Sequence, residues 1–122
     1  MFMPSSRVRV WLCTEPVDMR KSFDGLSALV KHRLLDDPLS GHLYVFVNRR
    51  GSQMKILAFD RTGYAIWAKR LERGRFVIAP GADDIKRSLT HTELQCLLDG
   101  IEVRDAPHYK RFCLPERQGG LV

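Results

Sequence analysis

Between His42 and Ala79 the chain breaks into short runs rich in β-branched and aromatic residues, at 42 to 48, 53 to 59, 64 to 70 and 75 to 79, each divided from the next by a turn signal. That spacing is the pattern of an antiparallel meander. Arg50-Gly51 and Thr62-Gly63 supply glycine where a tight hairpin needs positive φ. Upstream, Val8, Val10, Trp11 and Leu12 read as a short strand that stops at Thr14-Glu15-Pro16.

A helix follows that strand. Asp18 is placed to accept from the free amides of a first turn, and Met19, Phe23, Leu26, Val30 and Leu34 recur on one helical stripe, with Arg20, Lys21, Lys31 and His32 opposite. Gly25 inside it costs about 1 kcal/mol relative to alanine and marks close packing, and Asp37-Pro38 disfavours helix beyond it. Residues 80 to 89 read as a loop or short strand. Thr90 and Glu93 then form a capping box for a second helix, with Leu94, Leu97 and Leu98 as its buried stripe and Gly100 as its stop. A length of 122 residues suits one domain. The expected fold is therefore a small α+β domain over residues 1–106, an antiparallel β-meander of about four to six strands packed with two helices, and a partly loose tail at 107–122.

The strand period of two sorts the meander into faces. One collects Leu43, Val45, Val47, Met54, Ile56, Ala58, Ile66 and Ala68; the other collects Tyr44, Phe46, Lys55, Leu57, Phe59, Trp67 and Lys69. Rings between lysines resemble surfaces that stack on bases while cations meet phosphates. The same mix suits a second core layer under a helix, with its lysines reaching to the rim, and an outward aromatic face would also suit a homodimer.

Charge narrows the partners. Twenty basic and 14 acidic side chains leave a net charge of +6, which favours polyanions. The whole excess lies between residues 49 and 75, where Arg49, Arg50, Lys55, Arg61, Lys69, Arg70, Arg73 and Arg75 face only Asp60 and Glu72. A solvated basic face kept for solubility would show the same surplus.

Catalytic chemistry finds little support. Asp36-Asp37 and Asp83-Asp84 are adjacent pairs in loop-like stretches, and Asp18 and Asp24 do not share a helix face. Metal-dependent cutting through Asp18, Asp24 or Asp60 is the enzymatic alternative. Phosphate-cradling glycine motifs are missing, and the four histidines form no ligand pair. Cys13, Cys96 and Cys113, odd in number and far apart, read as reduced thiols. Neither a metal nor another cofactor is expected. With no apolar run of membrane length and no leader pattern in residues 1 to 12, the expected location is the cytoplasm.

The strings DMRKSFDGL at 18 to 26 and DPLSGHLYVFVNRRG at 37 to 51, with VRVWL at 8 to 12 and KRLERGRF at 69 to 76, resemble the TnpB-type accessory protein, the second open reading frame, of IS66-type insertion sequences. The resemblance implies a protein needed alongside a separate, larger transposase that carries the acidic catalytic triad, and it brings no catalytic residues to carry over. LAFDRT at 57 to 62 departs mildly from relatives, and the tail beyond residue 104 has no clear counterpart.

These readings combine into a non-catalytic accessory protein for transposition that binds DNA, at the insertion-sequence ends, through a basic β-ribbon. The expected contacts are Arg49, Arg50, Lys55, Lys69, Arg70, Arg73 and Arg75, extended by Arg20 and Lys21, with Tyr44 and Trp67 as aromatic contacts. The alternative is a module that docks on the larger transposase without touching DNA, anchored by an aromatic such as Trp67.

Overall fold

The computed structural model describes residues 7–78 and 84–100. Five strands, β1 (Val10–Cys13), β2 (Leu43–Val47), β3 (Gln53–Phe59), β4 (Tyr64–Arg70) and β5 (Lys86–Leu89), form one sheet in the order β4-β3-β2-β1-β5. Two helices, α1 (Phe23–His32) and α2 (His91–Leu98), complete an α+β fold. The strands β2, β3 and β4 form the expected antiparallel meander; Gly51 takes the positive φ expected of it, 71°, whereas in the β3–β4 turn the positive φ falls on Arg61, at 69°, and not on Gly63. The sheet as a whole is mixed, because β1 lies parallel to β2 while β5 runs antiparallel to β1. The stretch that carries α1 between β1 and β2 is long enough for the crossover that parallel neighbours require.

Among the described residues, the run from 75 to 78 adds no strand to this sheet, Ile78 making only an isolated bridge. Phe76 is buried in the core, and its amide donates to the Gly51 carbonyl at 2.7 Å, so the segment closes over the β2–β3 turn. Ala79 and the tail at 107–122 lie outside the described residues. The fifth strand is supplied instead by residues 86–89.

Helix α1 starts later than a cap at Asp18 would place it. Asp18 accepts the Arg20 amide at 2.9 Å in a local turn, and the N-cap is Ser22, whose side chain makes no capping bond. The close packing at Gly25 is against the turn that precedes α1, where a Cβ would stand 3.1 Å from the Lys21 side chain. Helix α2 has its capping box, with Glu93 N donating to Thr90 Oγ1 at 3.0 Å and Thr90 N to Glu93 Oε1 at 2.8 Å, and Gly100 follows it at φ 82°.

Each face of the sheet carries a core. Val10, Leu12, Val45, Met54 and Ile56 pack with Phe76 and with Leu94, Leu97 and Leu98 of α2. Cys13, Tyr44, Phe46 and Leu57 pack with Leu26 and Val30 of α1 and with Leu34. The aromatic side of β2 and β3 is thus a second core layer beneath a helix, which removes the outward aromatic face as ground for a homodimer. The sorting into faces holds for β2 and β3 and inverts for β4. Trp67 lies opposite Ile56, and Ile66 lies opposite Leu57, so Trp67 and Lys69 join the aliphatic side while Ile66 and Ala68 leave it. The closing pair Phe59 and Tyr64 sets this register, and a change of one residue in the turn would flip every side chain of β4.

Of the cysteines, Cys13 is a buried free thiol whose pKa is raised by burial. Cys96 is also buried.

The fully buried Tyr44 keeps one polar atom satisfied, its hydroxyl donating to the Asp37 carbonyl at 3.2 Å and lying 3.0 Å from Ser40 Oγ. Burial pushes its pKa up to about 12. Tyr44→Phe should therefore lower stability by about 1 kcal/mol, read from the midpoint of urea unfolding with an unchanged slope.

Candidate nucleic-acid interface

The basic stretch folds back so that its two ends meet. Gln53 pairs with Arg70 across β3 and β4, Leu71 N donates to the Ser52 carbonyl at 2.8 Å, and Phe76 N reaches Gly51. Arg49 and Arg50 in the β2–β3 turn therefore share one end of the sheet with the segment after β4 that carries Arg73 and Arg75.

The turn itself is held by Asn48. Its Oδ1 accepts from Ser52 N at 2.9 Å and Gln53 N at 3.1 Å, its Nδ2 donates to Ser52 Oγ at 3.0 Å, and its carbonyl accepts from Gly51 N at 3.0 Å. Gly51 has φ 71°, and a Cβ there would stand 2.8 Å from the Phe76 carbonyl oxygen, so only glycine lets the two segments close. The organising role of Asn48 was not legible beforehand. Its sequence signal is an asparagine three residues ahead of a turn glycine, a residue type that bonds readily to nearby backbone.

Arg49, Arg50, Arg73 and Arg75 are exposed and, among the described residues, take part in no ion pair. Arg70 bonds Glu72 at 3.0 Å and Arg20 bonds Asp18 at 2.7 Å, both in exposed, solvent-screened pairs weak enough for another anion to compete. Lys21 is exposed beside Arg20. Lys55 and Lys69 are not part of a common ribbon surface. They leave the sheet on opposite faces, Lys55 Nζ donating to the Lys21 carbonyl at 2.7 Å and Lys69 Nζ to the Leu98 carbonyl at 2.8 Å, where it meets the negative end of α2. Arg61, at φ 69° in the β3–β4 turn, sits at the far end of the sheet.

Of the expected aromatic contacts, Tyr44 is corrected, being 0% exposed with no ring face to offer a base; Trp67 packs against the α2-side core and keeps part of its ring exposed. Their position follows from the two-sided cover of the sheet, which no strand pattern announces.

Residues far apart in sequence converge beside the turn. Met19 and Arg20 line a groove of about 660 Å³ with Asn48, Arg49, Arg50 and Gln53, so the strings at 18 to 26 and 37 to 51 meet in space. Asp18 also borders this groove. The Arg20 guanidinium and amide both bond its carboxylate and lower its pKa to about 2. Of the other acids considered for metal chemistry, Asp24 is exposed on α1 and Asp60 lies in the far turn, bonded by the Thr62 hydroxyl at 3.3 Å. Among the described residues no group of three or more His, Cys, Asp or Glu side chains could hold a metal ion, and no helix is long and apolar enough to cross a membrane.

A small α+β domain with a mixed five-stranded sheet, presenting arginines at one end, is the class that fold and surface define. The chain belongs to the family described as IS66 Orf2-like protein, which matches residues 8–108. The uncharacterised protein y4hO of Sinorhizobium fredii (strain NBRC 101917 / NGR234) is 41% identical over 103 residues, covering 84% of this chain and 89% of that protein. The uncharacterised protein y4jC of the same strain is 33% identical over 102 residues, covering 84% and 86%. No solved structure matches.

Two outcomes are expected. Gly51→Ala should destabilise by at least about 1–2 kcal/mol in urea unfolding, because it forces alanine to positive φ against a carbonyl that cannot move without parting the turn from Phe76. The Asp18 carboxylate, with its folded pKa depressed, should stay ionised until the pH falls to about 2, and Arg20→Ala should return it toward 3.8, followed by the side-chain carbonyl carbon shift in an NMR titration.

Proposed function

We propose that this protein is a non-catalytic accessory factor for transposition of an IS66-type insertion sequence, acting in the cytoplasm by binding DNA at the element's ends through its arginine end. The observation that carries this reading is the cluster of Arg49, Arg50, Arg73 and Arg75, four exposed cations left without carboxylate partners among the described residues. Guanidinium groups suit phosphate because their planar fork donates two parallel hydrogen bonds. Their affinity would come mainly from counterion release, which is independent of sequence. In this reading the larger transposase supplies the strand chemistry and the present chain supplies a place on the DNA.

Docking on the transposase is the second reading, favoured by a different surface from the aromatic face first considered. The exposed large hydrophobics among the described residues are Phe23, Leu35 and Leu39, and Leu35 and Leu39 line a groove with Tyr64, at the end of the sheet remote from the arginines. Occupying that groove would leave the basic end open.

Fluorescence anisotropy with labelled element-end duplex, scrambled duplex and single-stranded DNA across a salt series separates the readings. Binding should weaken linearly on logarithmic axes with a slope of roughly −3 to −4. Replacing Arg49, Arg50, Arg73 and Arg75 together by alanine should abolish it with little effect on unfolding. No binding to any of the three at low salt would leave transposase docking as the function.

A further inference from the structure

The β2–β3 turn separates two grooves. The one beside it toward α1 holds Arg20; the other, of about 260 Å³, is lined on its far side by Arg75, Phe76, Val77 and Ile78, and Arg49 and Arg50 border both. The backbone between them is locked by the Asn48 side chain and by the bond from Phe76 to Gly51, so little ordering of the turn remains to be done on binding.

This shape restricts how the turn can meet a duplex. The major groove takes a helix or a free two-stranded ribbon. Here β2 and β3 are interior strands of a sheet whose two faces lie under α1 and α2, so the ribbon as a whole cannot enter. What projects is a pair of adjacent arginine side chains. The minor groove, about 6 Å wide, admits such side chains and excludes a ribbon, and it is narrowest and most negative along A·T tracts, where arginine is preferred.

We infer that Arg49 and Arg50 enter the minor groove of A·T-rich duplex DNA, with the phosphates of the two flanking strands lying along the two grooves toward Arg20 and Arg75. Two carboxylates border these grooves, and both are already met by arginine: Asp18 by Arg20 and Glu15 by Arg33. The inference rests on the DNA-binding reading and adds to it a groove and a class of sequence.

The full chain is titrated into short labelled duplexes that differ only in a central A·T or G·C run, with and without distamycin, a minor-groove ligand. The A·T duplex should bind about tenfold more tightly, and distamycin should displace the protein from it. The double variant Arg49→Lys, Arg50→Lys keeps both charges on exposed positions, so it should retain the salt slope while the A·T preference falls to about twofold or less, because the more strongly hydrated ammonium is a poorer minor-groove ligand. Equal affinity for the two duplexes, binding indifferent to distamycin, or an A·T preference intact in the lysine variant would overturn the minor-groove inference and leave DNA binding standing. Absence of binding to either duplex at low salt would overturn both.

Discussion

Strand β2 is the member on which the rest of the structure depends. All five of its residues are buried, and it is hydrogen-bonded to β1 on one side and β3 on the other. Its alternating side chains seed both cores: Leu43, Val45 and Val47 go to the α2 side, and Tyr44 and Phe46 to the α1 side. Each such burial is worth about 1.5–3 kcal/mol, whereas the exposed ion pairs are screened by solvent and add little. Stability therefore resides in the sheet and its two helices. Stability does not depend on the surface cations, which is why Arg49, Arg50, Arg73 and Arg75 can stand without carboxylate partners among the described residues at small cost to the fold.

The candidate interface is an extension of that strand. Immediately after Val47 the chain must turn, and Asn48 and Gly51 make the turn rigid by side-chain bonding and by positive φ. The same close approach that excludes a Cβ at Gly51 brings Phe76 and Arg75 alongside. A core residue and a surface cation are thus placed by one contact. Arg49 and Arg50 thus stand on a backbone fixed by Asn48 and Gly51, with Arg75 alongside.

Much of this was legible along the chain. Periodicity and turn chemistry located β1 to β4 and both helices, and the capping box of α2 was read correctly because its partners are three residues apart and need no tertiary contact. The start of α1 was misplaced because Asp18 satisfies a nearer amide, a competition between local bonds that spacing does not resolve. The segment at 75 to 78 is as apolar as a strand, yet it serves as a lid on a turn; apolarity reports burial and says nothing of pairing. Strand β5 carries no clear signal along the chain because only four residues of mixed character form it, and their strand geometry comes from pairing with β1.

Sequence by itself determined the α+β class, the family resemblance that membership bears out, and the concentration of the whole charge surplus in residues 49 to 75, since each follows from local spacing and composition. Only the tertiary structure decided which of those cations share a surface. Register sends Lys55 and Lys69 to opposite faces, where they bond the Lys21 and Leu98 carbonyls, Tyr44 is sealed under a helix, and Trp67 turns inward with its strand. These outcomes depend on register and on which face each helix covers, and both are set by contacts between residues far apart in the chain, where linear spacing carries no information.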